Sequence, residues 1–398
     1  YAQNLGTAVA EVYYELGQYD RVIEELRPQI DTLPPEERGR ALFFLAESYN
    51  QRGDTENAIV FYRRIIDEPQ NDAYLRPALY GMGWTHLNAD NPDQAADSFA
   101  RVRTVATADE AQDTLSMKAA YYEAVAHARA GRSDRAAAGY RTVAETWPTG
   151  DLAAAATYER GVLEYRSEQY SAAAASFRQV VRQTPPEPLL GDAHYMLGNA
   201  YTALNDLDRA LEAYDEAVQR DAAPDSVRRE VQFQKAWTLY ENGRFDEAGS
   251  AFLALARDGT GQRSRDALFW GGDCLYEQGD YVNAQRRFQQ YLQQYPNGRH
   301  AAAAQYALGW THFRQRQYQP AASSFRTFLD AYREPDREIP YRQDARLRLA
   351  DSYYALKQYD NAIAEYRRVD GQGVDYALYQ TGEALSRADR NDEAIRTL

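Results

Sequence analysis

The sequence is short of several things on which chemistry is usually built. It has a single cysteine, Cys274, so no disulfide can close within the chain. Lysine occurs only at Lys118, Lys235 and Lys357, and every other basic residue is arginine. Sites built on lysine are therefore nearly excluded, and the lysine- and glutamate-rich pattern of hyperthermophiles is absent. No apolar run approaches the ~20 residues needed to cross a bilayer, so direct membrane insertion is not expected. No signal peptide is visible; because the chain opens at Tyr1, we read it as a processed or excised piece whose targeting segment would already be gone. Basic charge is also scarce: 59 Asp and Glu stand against 45 Lys and Arg, a net charge of −14. Such a chain repels phosphate backbones, which makes nucleic acid a poor partner. The sequence contains no H-E-x-x-H, no calcium-loop spacing and no N-x-S/T sequon, and we expect neither metal nor cofactor.

What is present is a folded composition and a period. Hydrophobic residues make up 44% and charged residues 26%, which excludes disorder as the main state. At 398 residues the chain exceeds one ordinary core, so several domains or a repeat array is expected. A small residue recurs at Val22, Ala58, Ala95, Ala136, Ala173, Ala210, Ala248, Ala284, Ala321, Ala362 and Ala394, at intervals of 32 to 41 residues. Four positions later stand Leu26, Tyr62, Phe99, Tyr140, Phe177, Tyr214, Phe252, Phe288, Phe325, Tyr366 and Leu398, nine of them aromatic. Twelve positions before each anchor the residue is always Gly or Ala: Ala10, Ala46, Gly83, Ala124, Gly161, Gly198, Ala236, Gly272, Gly309, Ala350 and Gly382.

These columns predict paired antiparallel helices. The Gly or Ala of the first helix is expected to face the Ala of the second, where only small side chains allow close approach. The aromatic one turn on shares that face and fills the space toward the next hairpin. The turn between the helices often carries Gly (Gly17, Gly53, Gly131, Gly243, Gly279). Second helices open on Asp20, Asp93, Asp134, Ser171, Asp208, Asp246, Asp360 and Asp392, expected as caps and as partners of the helix dipole. Proline marks many exits: Pro34, Pro69, Pro148, Pro185, Pro224, Pro296 and Pro335. The segments Thr104–Ser116 and Glu334–Gln343 are longer and are expected as bends or exposed loops.

The columns resemble the tetratricopeptide repeat, in which W-x2-L-G-x2-Y is followed by A-x3-F and then P. Tyr195-Met196-Leu197-Gly198-Asn199-Ala200-Tyr201 with Ala210 and Tyr214 is a close match. The resemblance covers the whole chain, with most units two to four residues longer than the usual 34. It implies an all-α fold: a right-handed α-solenoid of about eleven hairpins, read as one solenoid over 1–398. The repeats run approximately 3–38, 39–75, 76–116, 117–153, 154–190, 191–228, 229–264, 265–301, 302–342, 343–374 and 375–398, the last incomplete. The packing positions named from these columns are Gly83, Gly161, Gly198, Gly272, Gly309, Ala58, Ala95, Ala210, Ala248, Ala284 and Ala362. A narrower resemblance, Tyr295-Pro296-Asn297-Gly298-Arg299-His300-Ala301 running into Tyr306-Ala307-Leu308-Gly309 and echoed by Trp147-Pro148-Thr149-Gly150, is to bacterial envelope repeat proteins. It implies an envelope location.

No residue set reads as catalytic. His86, His127 and His312 share one repeat column where the family has Tyr, more than a hairpin apart, and are expected as packed, hydrogen-bonded residues. His194 and His300 are isolated and read the same way. Gly81-Met82-Gly83 and Gly271-Gly272 have no preceding strand and read as close helix contacts rather than phosphate loops. Asp258-Gly259-Thr260-Gly261 occupies an inter-repeat turn. Cys274 has no His or Lys placed to activate it and reads as a buried inert thiol. We therefore expect a protein that is not an enzyme.

In a helical-hairpin solenoid the first helices line the concave surface. The family resemblance points columns 5, 9 and 12 of each repeat into it. Those columns hold Tyr80, Trp84, Tyr158, Tyr165, Phe233, Trp237, Tyr240, Phe269, Tyr276, Tyr306, Trp310, Phe313 and Tyr354, interleaved with Glu230, Asp266, Asp273, Asp344 and Asp351. An aromatic groove with an acidic rim suits a peptide or helix with apolar and basic residues. The family's clamp for acidic chaperone tails needs Lys and Asn at fixed groove positions, which the three lysines do not supply. The expected function is a scaffold or adaptor holding a partner protein or peptide. The alternative is a structural protein whose copies stack head to tail into a filament, motivated by a chain that begins in a first helix and stops in a second without a capping helix.

Overall fold

Every second helix must bury one apolar stripe, and no hairpin can do so alone, so the fold is built by stacking. The computed structural model describes residues 3–68, 72–105, 113–219, 225–258, 261–331, 341–371 and 373–397. Pro69, Pro224, Pro335, Gly259, Thr260 and Leu398 lie outside the described residues, as do most of the two long segments expected as loops (106–112 and 332–340). All the described regular structure is α-helical. The chain divides into two units, Tyr1–Asn205 and Asp206–Leu398. The first holds α1 (Gln3–Glu15), α2 (Tyr19–Leu26), α3 (Pro35–Gln51), α4 (Thr55–Asp67), α5 (Asp72–Asn88), α6 (Pro92–Thr104), α7 (Thr114–Arg129), α8 (Ser133–Thr146), α9 (Ala153–Arg166), α10 (Tyr170–Gln183) and α11 (Leu189–Ala203). The second holds α12 (Leu207–Val218), α13 (Asp225–Glu241), α14 (Phe245–Asp258), α15 (Gln262–Glu277), α16 (Tyr281–Gln294), α17 (Ala301–Arg314), α18 (Tyr318–Ala331), α19 (Arg342–Ala355), α20 (Tyr359–Tyr366), α21 (Val374–Arg387) and α22 (Asn391–Thr397).

Within each unit every helix packs on the next in sequence. First helices also touch first helices: α1 on α3 and α3 on α5 in the first unit, then α13 on α15, α15 on α17 and α17 on α19 in the second. This nearest-neighbour order is that of an α-solenoid.

The turns repeat more faithfully than the sequence does. Among the described residues, each turn within a hairpin holds one residue with positive φ: Gly17, Gly53, Asp90, Gly131, Glu168, Asn205, Gly243, Gly279, Arg316, Lys357 and Asp389. The next N–H then reaches back over a turn, as from Gln18 to the Tyr13 carbonyl at 2.8 Å and from Gln358 to that of Tyr353 at 2.9 Å. This is the Schellman closure. Glycine meets it without strain, and the six non-glycine residues adopt it because the helices on either side are fixed.

The anchor column is fully buried from Val22 through Ala362, including Ala58, Ala95, Ala210, Ala248 and Ala284. Its aromatic companions are buried as well, Phe99, Phe177, Phe252, Phe288 and Phe325 completely. Each such ring contributes about 2–3 kcal/mol by leaving water. At Gly83, Gly161 and Gly309, however, the small first-helix residue meets the ring rather than the Ala. A Cβ built on Gly83 would lie 2.6 Å from the Phe99 ring, on Gly161 2.8 Å from Phe177, and on Gly309 2.7 Å from Phe325. Gly272 likewise abuts Phe288 at 3.1 Å. The glycine is the seat of its own hairpin's ring, because a ring pointing along the helix pair needs more room than an Ala methyl.

The capping expectation also shifts. Asp20, Asp93, Asp134, Asp208, Asp246, Asp360 and Asp392 fall inside the first turn, where they favour the dipole. Side-chain caps are made by Asp54, Asp206 and Asp280 one position before the helix, which accept from Asn57, Arg209 and Asn283 N–H groups. No described helix is long and apolar enough to cross a membrane.

Candidate functional site

The expected groove residues separate into groups. In the first unit Tyr80 packs edge-on to Phe99 at 5.5 Å, and Trp84 lies 4.4 Å from Tyr122. Tyr158 packs on Phe177 and Tyr165 on Tyr170. In the second unit Phe233 and Phe269 are 5% exposed, and Phe233 is a core residue that supports the surface rather than forms it. Phe233 packs edge-on to Phe252, and the Arg263 guanidinium lies 4.5 Å from its ring centre. Phe313 leans on Trp310 and Tyr318, and Tyr354 on Tyr359.

Six of them converge. A cavity of about 460 Å³ opens on the first-helix face of the second unit, and Tyr240, Phe269, Tyr276, Tyr306, Trp310 and Asp273 line it. They come from α13, α15 and α17, three consecutive first helices. Trp237 supports this wall, stacked on Tyr240 at 5.4 Å and edge-on to Trp270 at 4.8 Å. Six further lining residues escaped the column reading: Trp270, Glu277, His300, Ala303, Ala307 and Tyr341. Trp270 stands two positions before the small residue Gly272, a register not read as groove-facing. Tyr341 precedes α19, where no repeat column reaches, and stacks on Tyr306 at 4.8 Å. His300, isolated in the sequence, stacks on Phe269 at 4.6 Å and faces Asp266 Oδ1 at 3.2 Å.

The acidic residues are mostly neutralised. Arg263 binds Glu230 through both fork nitrogens. Asp266, 1% exposed, pairs with Arg299 at 2.6 Å. Arg348 bridges Asp344 (3.2 Å) and Asp351 (2.6 Å) and lies 5.0 Å from the Trp310 ring centre. Asp344 also accepts from Tyr306 Oη at 2.6 Å and Trp310 Nε1 at 3.1 Å. Asp351 accepts from Tyr366 and Tyr376. Asp273 differs: its bond is from Tyr240 Oη at 2.6 Å. Burial pushes its carboxyl above the ordinary range, the Tyr240 bond opposes this, and Glu277 adds to it.

The remaining chemistry-bearing residues are packed. His86, His194 and His312 are 6–7% exposed. His312 Nδ1 bonds Gln317 at 2.9 Å, and His127 accepts from Arg132 at 3.0 Å. Burial first, then Arg63, lowers the His86 pKa. The buried Cys274 thiol is pushed up to about 12 by burial and by Asp273. Among the described residues no group of three His, Cys, Asp or Glu side chains could hold a metal.

The tetratricopeptide repeat family matches residues 80–151, 123–188, 158–227, 233–299 and 306–377, with related repeat descriptions matching 40–71 and 268–334. No curated protein matches the chain. Among solved structures it is similar to YrrB, described as a tetratricopeptide protein with an unusual peptide-binding site, at 23% identity over 53% of this chain and 98% of that one, TM-score 0.41. It is similar to MamA from Desulfovibrio magneticus at 20% identity over 45% and 92%, TM-score 0.37. A complex of Naa15 and Naa10 bound to HypK matches at 15% identity over 100% and 68%, TM-score 0.40. With well over half its length matched, the chain belongs to the tetratricopeptide repeat family, helical arrays whose general role is to hold other proteins.

Proposed function

We propose that the protein is a non-enzymatic scaffold that holds a partner segment, apolar and basic in composition, on the first-helix face of its second unit. The observation that carries this reading is the cavity itself. Three consecutive first helices converge aromatic side chains on about 460 Å³ of open space beside two acidic residues, Asp273 and Glu277. Amphipathic rings around a recess are what interfaces use as anchors. Tyr276, Tyr306 and Trp310 form the contact surface in this reading, with Trp237 and Phe269 behind it.

The test is to pan a library of random twelve-residue peptides on the protein and on Trp310→Ala. Selected peptides that bind the parent at least about tenfold more tightly than the variant support the groove. Peptides that bind both alike, or none selected, would sink it. Mass photometry over a dilution series separates the filament alternative: polymers that persist at dilution make self-assembly the function. The envelope location rests on the Tyr295–Ala301 resemblance alone, and cell fractionation tests it.

A further inference from the structure

The second unit already shows how this fold holds a guanidinium. Arg348 on α19 lies between Asp344 and Asp351, with the Trp310 ring at 5.0 Å and the Tyr376 ring at 6.0 Å. Asp344 and Asp351 stand six positions before and one after the small residue Ala350. On α15 the same register around Gly272 gives Asp266 and Asp273, but the place of Arg348 is taken by Trp270. Asp266 is compensated from the following turn by Arg299, with His300 Nε2 3.2 Å from its other oxygen. Asp273 is not.

A second replacement deepens the deficit. Asp351 accepts from Tyr366 of its own hairpin at 2.5 Å, and Glu47, in the same register after Ala46, accepts from Tyr62. For Asp273 the corresponding ring is Phe288, which has no hydroxyl. Asp273 thus lacks the arginine that serves Asp351 and the hairpin tyrosine that serves both Asp351 and Glu47, and Tyr240 from the preceding hairpin replaces only the latter. Its carboxyl lines the cavity, with Glu277 one helical turn on. Arg314 lies 5.7 Å from the Trp310 ring centre, donates to Tyr276 Oη at 3.4 Å and interacts electrostatically with Glu277.

Resting on the groove reading above, we infer that this cavity receives the guanidinium of an arginine in the partner segment, held by Asp273 and Glu277 between the rings of Trp270, Tyr276 and Trp310. The side chain supplies from outside what Arg348 supplies internally. Arginine suits the place better than lysine, because its planar fork can both stack on a ring and donate to two carboxylates one turn apart. The net charge of −14 draws such a segment in.

The experiment titrates N-acetyl-argininamide and its neutral isostere N-acetyl-citrullinamide into the full chain, read by tryptophan fluorescence. The parent protein should respond saturably to argininamide and at least about fivefold more weakly to citrullinamide. Asp273→Asn and the exposed Glu277→Gln should each weaken the argininamide response by a similar factor, with unchanged helical circular dichroism. Equal responses to the two amides, or full response in both variants, would overturn the arginine assignment. The peptide selection keeps the two ideas apart. Trp310-dependent peptides without arginine enrichment leave the groove standing and overturn this inference; Trp310-dependent peptides enriched in arginine support both.

Discussion

Gly83-Trp84-Thr85-His86 and Gly309-Trp310-Thr311-His312 are the same four residues in two units, and they build two different places. Locally they agree. Each glycine seats a fully buried phenylalanine, each threonine hydroxyl donates to the carbonyl four residues back (2.9 and 2.7 Å), and each histidine is buried. The difference comes from 38 residues downstream. Trp84 meets Tyr122 at 4.4 Å, whereas the equivalent residue for Trp310 is Arg348, at 5.0 Å. Lys118, exposed, stands where the second site has Asp344, which bonds both Tyr306 and Trp310. The first tryptophan is closed over by an aromatic ring, while the second lies on the edge of a cavity. A repeat motif sets the platform, and the next repeat sets the chemistry.

The comparison is broken most severely through the shared platform. Phe99→Ala and Phe325→Ala remove equivalent, fully buried rings, so each should cost about 3–5 kcal/mol in urea unfolding. Costs that differ several-fold would mean that the two scaffolds are not alike. Next in size is the surface. Trp310→Ala should weaken a selected peptide ten- to a hundredfold, about 1.4–2.7 kcal/mol, while Trp84→Ala leaves binding within about twofold, as isothermal titration would show.

A third effect is read as a trend with pH. The Asp273 carboxyl is held above its unfolded value by burial, so its contribution to stability is fully present below the unfolded pKa and is lost as pH rises through the folded one. Asp273→Asn keeps the Tyr240 bond and removes that loss. Its stability relative to the parent should therefore increase as pH rises from about 4 toward neutrality, as urea midpoints at several pH values would show. A difference that does not change with pH would mean that Asp273 is better neutralised than its described contacts indicate. The smallest effect lies in the turns that both units share. Lys357 takes a φ of 60°, so Lys357→Gly should stabilise by about 0.5–1 kcal/mol, whereas Gly243→Ala should destabilise by about 1 kcal/mol in thermal unfolding.

Much of this fold is legible in the chain, because each hairpin is specified within about 37 residues and repeated until the columns stand out. The anchor alanines, the buried rings and the glycine turns are of that kind. Two features are not. Glu168, Arg316 and Lys357 carry the glycine conformation without the glycine, since tertiary fixation overrides local preference. The partners of the acidic residues depend on which side chain the neighbouring hairpin offers. An acidic rim read from columns thus becomes a set of neutralised pairs with Asp273 left over. Trp270 and Tyr341 escape the columns for a different reason: one occupies a position not read as groove-facing, and the other lies outside the columns.

The most direct measurement uses the five tryptophans as reporters. Indole N–H resonances are assigned by single Trp→Phe replacements and followed while a selected peptide is added. The account predicts that Trp270 and Trp310 shift saturably while Trp84 and Trp147 stay in place. A bound peptide that moves Trp84 as much as Trp310, or moves neither Trp270 nor Trp310, would contradict the assignment of the second unit's first-helix face as the binding surface.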